Sequence, residues 1–423
     1  MRTARWPREL DLSRLISPGD TIIWSHAGAE PTSLISQLIA QRHLFGGRIS
    51  VFLTGVSFSE TLQPEHADMI DFKSIGGIGT HARLARAGCL DVLPVRFSDM
   101  PRLIAEDRVH VDVAMFSGSL PDANGQISLG PTMAIALEVM KAARVKIVEI
   151  NANVPFVLGD TLVNLSDFDE VIESDLALAS SPSSTGTLSA DADQLCRNVA
   201  ALVPDRCTLQ VGFGSVGRAL PRYLTGRKDV GIHSAILTDE LIDLVEAGIV
   251  TGSAKETDVG ISVCGELLGS ERLYRFADRN PVVSLRSTSY VLSEEVLGSF
   301  QSLVSVNSAL EVDLTGQVNA ESRAGIHVGA VGGAVDFVRA AARSPRGASI
   351  IALQSTTSKH QSRIVASLDH GVVTTARSEV EYVVTEYGVA DLRGRTIAER
   401  VKMLAAIAHP DHRSSLAATD VTS

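Results

Sequence analysis

Short apolar runs, each closed by small residues and followed by a helical pattern, recur along the whole chain. No other feature constrains its fold as much. Asp20–Trp24 (DTIIW) runs into Ser25-His26-Ala27-Gly28-Ala29-Glu30-Pro31, and Thr32 opens a helical pattern through Leu34, Ile35, Leu38 and Ile39. Arg48–Leu53, Asp91–Val95, Val109–Phe116 and Val145–Asn151 read as further strands. Helices are expected at His81–Ala87, after the turn Gly76–Gly79, and at Pro131–Ala143. The rhythm returns in the second half, with strands at Thr208–Val211, Val259–Val263, Val304–Leu314, Ser349–Leu353 and Val380–Thr385. A glycine loop followed by a helix is expected over Gly212–Leu224, with further helices after Gly329–Gly333 and at Thr396–Ala408. Strands alternating with helices bury a largely parallel sheet beneath its own crossovers, so the fold class is α/β. The serine-rich stretch Ala179–Asp193 breaks the pattern and reads as a linker. It gives a first domain over 1–182 and a second over 190–423.

The composition narrows the partners. A net charge of −11 with only 4% aromatic residues disfavours a nucleic-acid surface, which needs basic tracks and stacking platforms. No apolar run approaches ~18 residues, and the N-terminus lacks a signal-peptide core, so a cytoplasmic protein off the membrane is expected. Cys89, Cys196, Cys207 and Cys264 show no metal-ligand spacing, so buried thiols and no metal are expected.

Asp229–Gly248 (DVGIHSAILTDELIDLVEAG) holds the most chemistry. It reads as a strand end, a loop over His233–Leu237 and a helix capped at Thr238 or Asp239, with Gly248 at its C-cap. In open α/β sheets such a loop lies where ligands bind. His233 and Ser234 are adjacent and no G-x-S-x-G elbow exists, so a nucleophilic triad is not expected. Gln210, at a strand end before Gly212 and Gly214, is either an oxyanion donor or a partner for local backbone. Gly329-Ala-Val-Gly-Gly-Ala-Val-Asp-Phe337 either lets backbone amides approach a ligand or is a tight turn. Glu311, Asp313 and Glu321 lie close together and are expected to serve structure rather than acid/base work.

Several of these stretches form one long pattern. Asn307–Ser322 (NSALEVDLTGQVNAES), Gly329–Phe337 (GAVGGAVDF), Val380–Gly394 (VEYVVTEYGVADLRG) and Ile407–Pro410 (IAHP) resemble the acetyl-CoA hydrolase/transferase family, which includes 4-hydroxybutyrate and succinyl-CoA:acetate CoA-transferases. The resemblance implies two tandem domains of the NagB/CoA-transferase type with the active site between them, coenzyme A as a substrate group, an acyl-CoA and a small carboxylate as partners, and a homodimer. It also implies a glutamate that attacks the acyl-CoA and carries CoA as a thioester, with oxyanion donors at Gln210, Gly28 and Gly329. Gly329, Gly332, Gly333 and Asp336, with the loop cation Lys359, are the positions expected to meet coenzyme A. The loops Ser117–Gly130 and Asn151–Asp160 are expected to shape the acyl pocket.

The chain departs from that pattern at its centre. The family glutamate lies in a G-I-H-[ST]-E context, and here that place is Ala235, 25 residues after Gln210. A methyl group cannot attack a thioester. Three readings remain: a transferase that has lost its nucleophile, a thioester hydrolase or hydrolytic C–C lyase that activates water, and a CoA-ester binder without catalysis. For the second, Glu30 is the candidate base; its plainer role is to favour the following helix through the dipole.

Overall fold

Residues 9–181, 188–368 and 371–419 are described by a computed structural model. The chain divides into two compact units, Met1–Ser183 with Val263–Val291, and Ser184–Ser262 with Leu292–Ser423. The return of Val263–Val291 to the first unit is not visible as any shift in composition. Part of the expected linker, 182–187, lies outside the described residues. Its last residues are helical: Ser189 accepts the N–H of Ala192, and Asp191 and Asp193 fill the first turn of Ala190–Ala200.

The first unit is built on a wholly parallel sheet. From edge to edge its strands are Leu90–Val92, Ile70–Ser74, Ile49–Leu53, Thr21–Trp24, Val113–Gly118, Val145–Asn151 and Glu170–Ser174. The order reverses between Thr21–Trp24 and Val113–Gly118, so the crevice outside the end of Thr21–Trp24 is a topological switch point. That strand leads directly into His26, Gly28 and Glu30. The following helix, Thr32–Gln41, turns Leu34, Ile35 and Leu38 into the core. Its N-cap is Pro31, which offers no side-chain acceptor. Glu149, on the Val145–Asn151 strand, fills that need by accepting the N–H groups of Ser33 and Leu34 at 2.9 and 3.2 Å.

The second unit carries its own sheet. Within it the order is Gly231–Leu237, Thr208–Val211, Leu303–Ser308, Ala348–Ala352, Tyr382–Thr385 and Gly388–Asp391, parallel except for the last strand. The reversal falls between Thr208–Val211 and Leu303–Ser308, which places Gln210 and Asn307 at a second switch point. Lys255 is buried beside the sheet, donating to the carbonyls of Ile232 and Ile261 at 3.1 and 2.7 Å. A Cβ at Gly231 would come within 2.4 Å of its Cγ.

Four expectations shift. His233–Leu237 is not a loop but part of the strand Gly231–Leu237. Histidine and serine are poor strand formers, yet both are fully buried there, and Ser234 is held by the backbone of Val211. The strand expected at Val259–Val263 runs over Ser262–Leu267, because Asp258 and Gly260 take left-handed φ of +51° and +79°. The helix expected from Pro131 starts only at Ala136, since Ala134 has φ of +41°. The strand expected over Val109–Phe116 is Val113–Gly118. Ile70–Ser74 is an additional strand; it alternates buried and exposed, which hides it among charged residues.

Candidate active site

In the second unit, Gln210 is buried and its side-chain amide is locked by two neighbours. Its Nε2 donates to Asn307 Oδ1 at 3.2 Å, while Asn307 Nδ2 donates to Gln210 Oε1 at 3.2 Å. Ser305 Oγ also donates to Oε1, at 2.6 Å, and Asn307 Nδ2 reaches Ser305 Oγ at 2.9 Å. The register pairs Gln210 with Ser305, so the three polar groups are neighbours because they share one face of adjacent strands. One Nε2 hydrogen is spent on Asn307 and the amide carries a second. Gly212 keeps the approach open: a Cβ there would lie 2.6 Å from Asn307 Oδ1.

Ala235 lies on the adjoining strand. Leu209 pairs with Ile232 there, and the same register continued sets Ala235 level with Gly212. Every residue of Gly231–Leu237 is buried except Ala235. The methyl thus occupies the one position of that strand from which a longer side chain could reach outward. Ser234 is committed to Val211, and His233 packs against Phe300 and Phe337 with ring centroids 5.0 and 6.5 Å away. The two are core residues.

The glycine segment leads into the helix Ala334–Arg343, whose N-cap is Gly333. Gly329 donates its N–H to Glu321 O at 2.9 Å, and a Cβ on it would fall 2.1 Å from Ala320 O, so only glycine fits. Gly332 has φ of +55°. Asp336, one turn into the helix, lines a crevice with Glu294, Arg339 and Arg343. Lys359 stands exposed on a turn held by its backbone N–H to Thr357 Oγ1. Asp313 is saturated by Thr315 and Gln317, and Glu311 accepts from Asn319, as expected of structural carboxylates.

In the first unit, Gly28 and Glu30 join residues that sequence reasoning left out. Gly28 lies in the turn Ala27–Ala29, where a Cβ would meet Tyr274 Oη at 2.1 Å. Glu30 is 5% exposed, and burial pushes its pKa above the ordinary carboxylate range, against hydrogen bonds from Ser57 and Ser59 and the charge of His26. Its Oε2 has no hydrogen-bond partner among the described residues. The helix amides that follow are taken by Glu149, so Glu30 does not cap them. His81, buried near His26, is pushed down to about 4 by burial. His26 bonds Thr54 through Nδ1 at 2.9 Å and Glu266 through Nε2 at 3.0 Å. The signal for Glu266 was a single charge inside the apolar run 262–268. The turn after Asn151 lines, with Leu178 and Tyr274, a cleft of about 790 Å³. Within Ser117–Gly130, residues Gln126–Ser128 form a short strand paired with Leu162–Asn164.

Residues 3–179 match the acetyl-CoA hydrolase/transferase N-terminal domain, and 269–419 match the acetyl-CoA hydrolase/transferase C-terminal domain. A 4-hydroxybutyrate coenzyme A transferase of Clostridium kluyveri is 35% identical over 93% of this chain and 92% of its own length. The chain belongs to the acetyl-CoA hydrolase/transferase family. A succinyl-CoA:cyclohexane-1-carboxylate CoA transferase of Geobacter metallireducens is 34% identical over 96% of this chain and 93% of its own. The crystal structure of RipA from Yersinia pestis superposes with a TM-score of 0.90 at 31% identity, covering 96% of this chain and 94% of that one. Among the described residues no group of three metal-ligating side chains occurs, and no helix is long and apolar enough to cross a membrane.

Proposed function

We propose that this chain processes acyl-CoA thioesters in the manner of a CoA-transferase, moving CoA between an acyl-CoA and a small carboxylate, with its covalent step closed at position 235. The observation that carries this reading is Ala235 itself: a methyl on the one outward position of its strand, level with Gly212 at the end of the strand that holds Gln210. Related chains named for transfer of CoA to and from carboxylates support the substrate class. Gln210 would hold the oxygen of the tetrahedral intermediate through its second amide hydrogen, while the N–H of Gly329, expected to help, is already given to the carbonyl of Glu321. Gly332, Gly333 and Asp336, with Lys359, would meet coenzyme A. The chain would act as a homodimer in the cytoplasm, the former measurable by sedimentation.

The test is to restore the family side chain. Ala235→Glu, incubated with butyryl-CoA and acetate and quenched with borohydride or hydroxylamine, should carry a modified residue 235 and exchange CoA. An Ala235→Glu protein that binds butyryl-CoA yet forms no such product would overturn the assignment. A second reading, hydrolysis by activated water, is favoured by the buried Glu30, whose raised pKa suits a general base. There, free thiol should appear without acetate and disappear in Glu30→Gln. If CoA esters only raise the melting temperature, the chain is a binder.

A further inference from the structure

The strand Ser262–Leu267 has a burial signature like that of Gly231–Leu237. It is buried throughout except at its fifth residue, and that residue is Glu266. A carboxylate inside an apolar strand is costly to desolvate unless it is partnered. Its partner, His26, is itself fixed on three sides. Thr54 holds Nδ1, Glu266 holds Nε2, and Gly55 lies against the ring so closely that a Cβ would come 2.3 Å from Cδ2. Thr132 adds a bond to the carbonyl of His26 and bridges the backbone of Glu266. The imidazole therefore aims one carboxylate oxygen, Oε2. The other, Oε1, has no hydrogen bond among the described residues, and the side chain keeps 16% exposure. His26 lies on the loop that carries Gly28, beyond the end of Thr21–Trp24 at the switch point of the first sheet, while Glu266 reaches it from the strand Ser262–Leu267.

We infer that Glu266 is the carboxylate nucleophile of this chain, aimed by His26, and takes an acyl group from an acyl-CoA. This rests on the acyl-CoA reading above. Glu266 Oε1 attacks the thioester carbonyl, the C–S bond breaks, and CoA leaves as a thiolate with a mixed anhydride left on Glu266. The thiolate then attacks the Glu266 carbonyl, the C–O bond to the acyl group breaks, and the first carboxylate leaves, with CoA held as a glutamyl thioester. A second carboxylate reverses both steps and regenerates Glu266. No proton or electron needs to be supplied, so the sequence balances with the two substrates alone. Glu30 is less suited to the role, being 5% exposed and held by Ser57 and Ser59. His26 acts through Glu266 and is a positioning residue.

The unaltered chain is incubated with butyryl-CoA, quenched with hydroxylamine and mapped by mass spectrometry, and butyryl-CoA:acetate exchange is measured in parallel. The expected result is a hydroxamate at Glu266. Glu266→Gln should lose both the adduct and exchange by at least about a hundredfold, while still showing a thermal shift with free CoA, which proves it folded. His26→Gln should lower kcat with little change in KM and shift the pH profile of exchange. Exchange that persists in Glu266→Gln overturns the proposal. So does an unaltered chain that is silent while Ala235→Glu exchanges CoA, an outcome that keeps the acyl-CoA reading. Silence from both proteins overturns the two together.

Discussion

Replacing Gln210 by leucine separates the structural work of its amide from its chemical work. Leucine is close in size, so the perturbation is the loss of three hydrogen bonds: two reciprocal amide bonds with Asn307 and one from Ser305. At about 0.5–1.5 kcal/mol net each, they account for about 2–4 kcal/mol. Asn307 Nδ2 and Ser305 Oγ still have each other at 2.9 Å, but Asn307 Oδ1 is stranded in a buried site, adding about 1–3 kcal/mol. The total, about 3–7 kcal/mol, is a large fraction of the ~5–15 kcal/mol that holds a domain. At about 2–4 °C per kcal/mol for a unit of this size, the melting temperature should fall by roughly 6 °C or more. In a double-mutant cycle, Gln210→Leu with Asn307→Leu should cost at least about 1 kcal/mol less than the two singles summed, because the second change removes the stranded oxygen. A melting temperature within about 2 °C of the unaltered chain, or strict additivity, would refute the idea that these groups form one buried network.

Other outcomes follow from the same geometry. Gly329→Ala drives a methyl against a backbone carbonyl, which cannot swing aside, and should lower stability by about 1–3 kcal/mol or abolish soluble expression. Gly28→Ala meets Tyr274 instead and should break its bond to Ala179 O, seen as a smaller thermal shift that Tyr274→Phe largely reproduces. Glu30 has its pKa raised in the folded state, so its contribution is complete below its ordinary value and lost as pH rises through the raised one. The melting temperature of Glu30→Gln, relative to the unaltered chain, should therefore climb as pH rises above the ordinary carboxylate range; a flat difference would count against burial of the charge. Of the four thiols, Cys89 should label first under native conditions, since Cys196 and Cys207 are enclosed and pushed up to about 11 and about 12 by burial.

The α/β architecture was legible because parallel strands buried on both faces must be written as apolar runs, and Thr208–Val211 and Val145–Asn151 match the expected limits. Capped helices were equally plain: Thr396 and Glu399 form a capping box, and Gly248 ends its helix with φ of +71°. What stayed hidden depended on tertiary partners. His233 and Ser234 read as part of a loop because nothing in their neighbours announces Phe300 or the Val211 backbone. Glu149 gave no signal of its own because the helix it caps lies more than a hundred residues earlier. Glu266 and His26 are 240 positions apart, and only the fold brings them to 3.0 Å.

Lys255 gives the absence at residue 235 a further meaning. By pegging the carbonyl of Ile232 from below, it keeps that stretch of main chain in place whatever side chain is mounted three residues on. That bond does not depend on which side chain stands at residue 235. A lineage could therefore shed an acid there without paying in folding, and could regain it by one nucleotide change from an alanine codon ending in a purine. Such a socket, rigid but indifferent to its contents, lets new chemistry be tried at one place while the old frame stands.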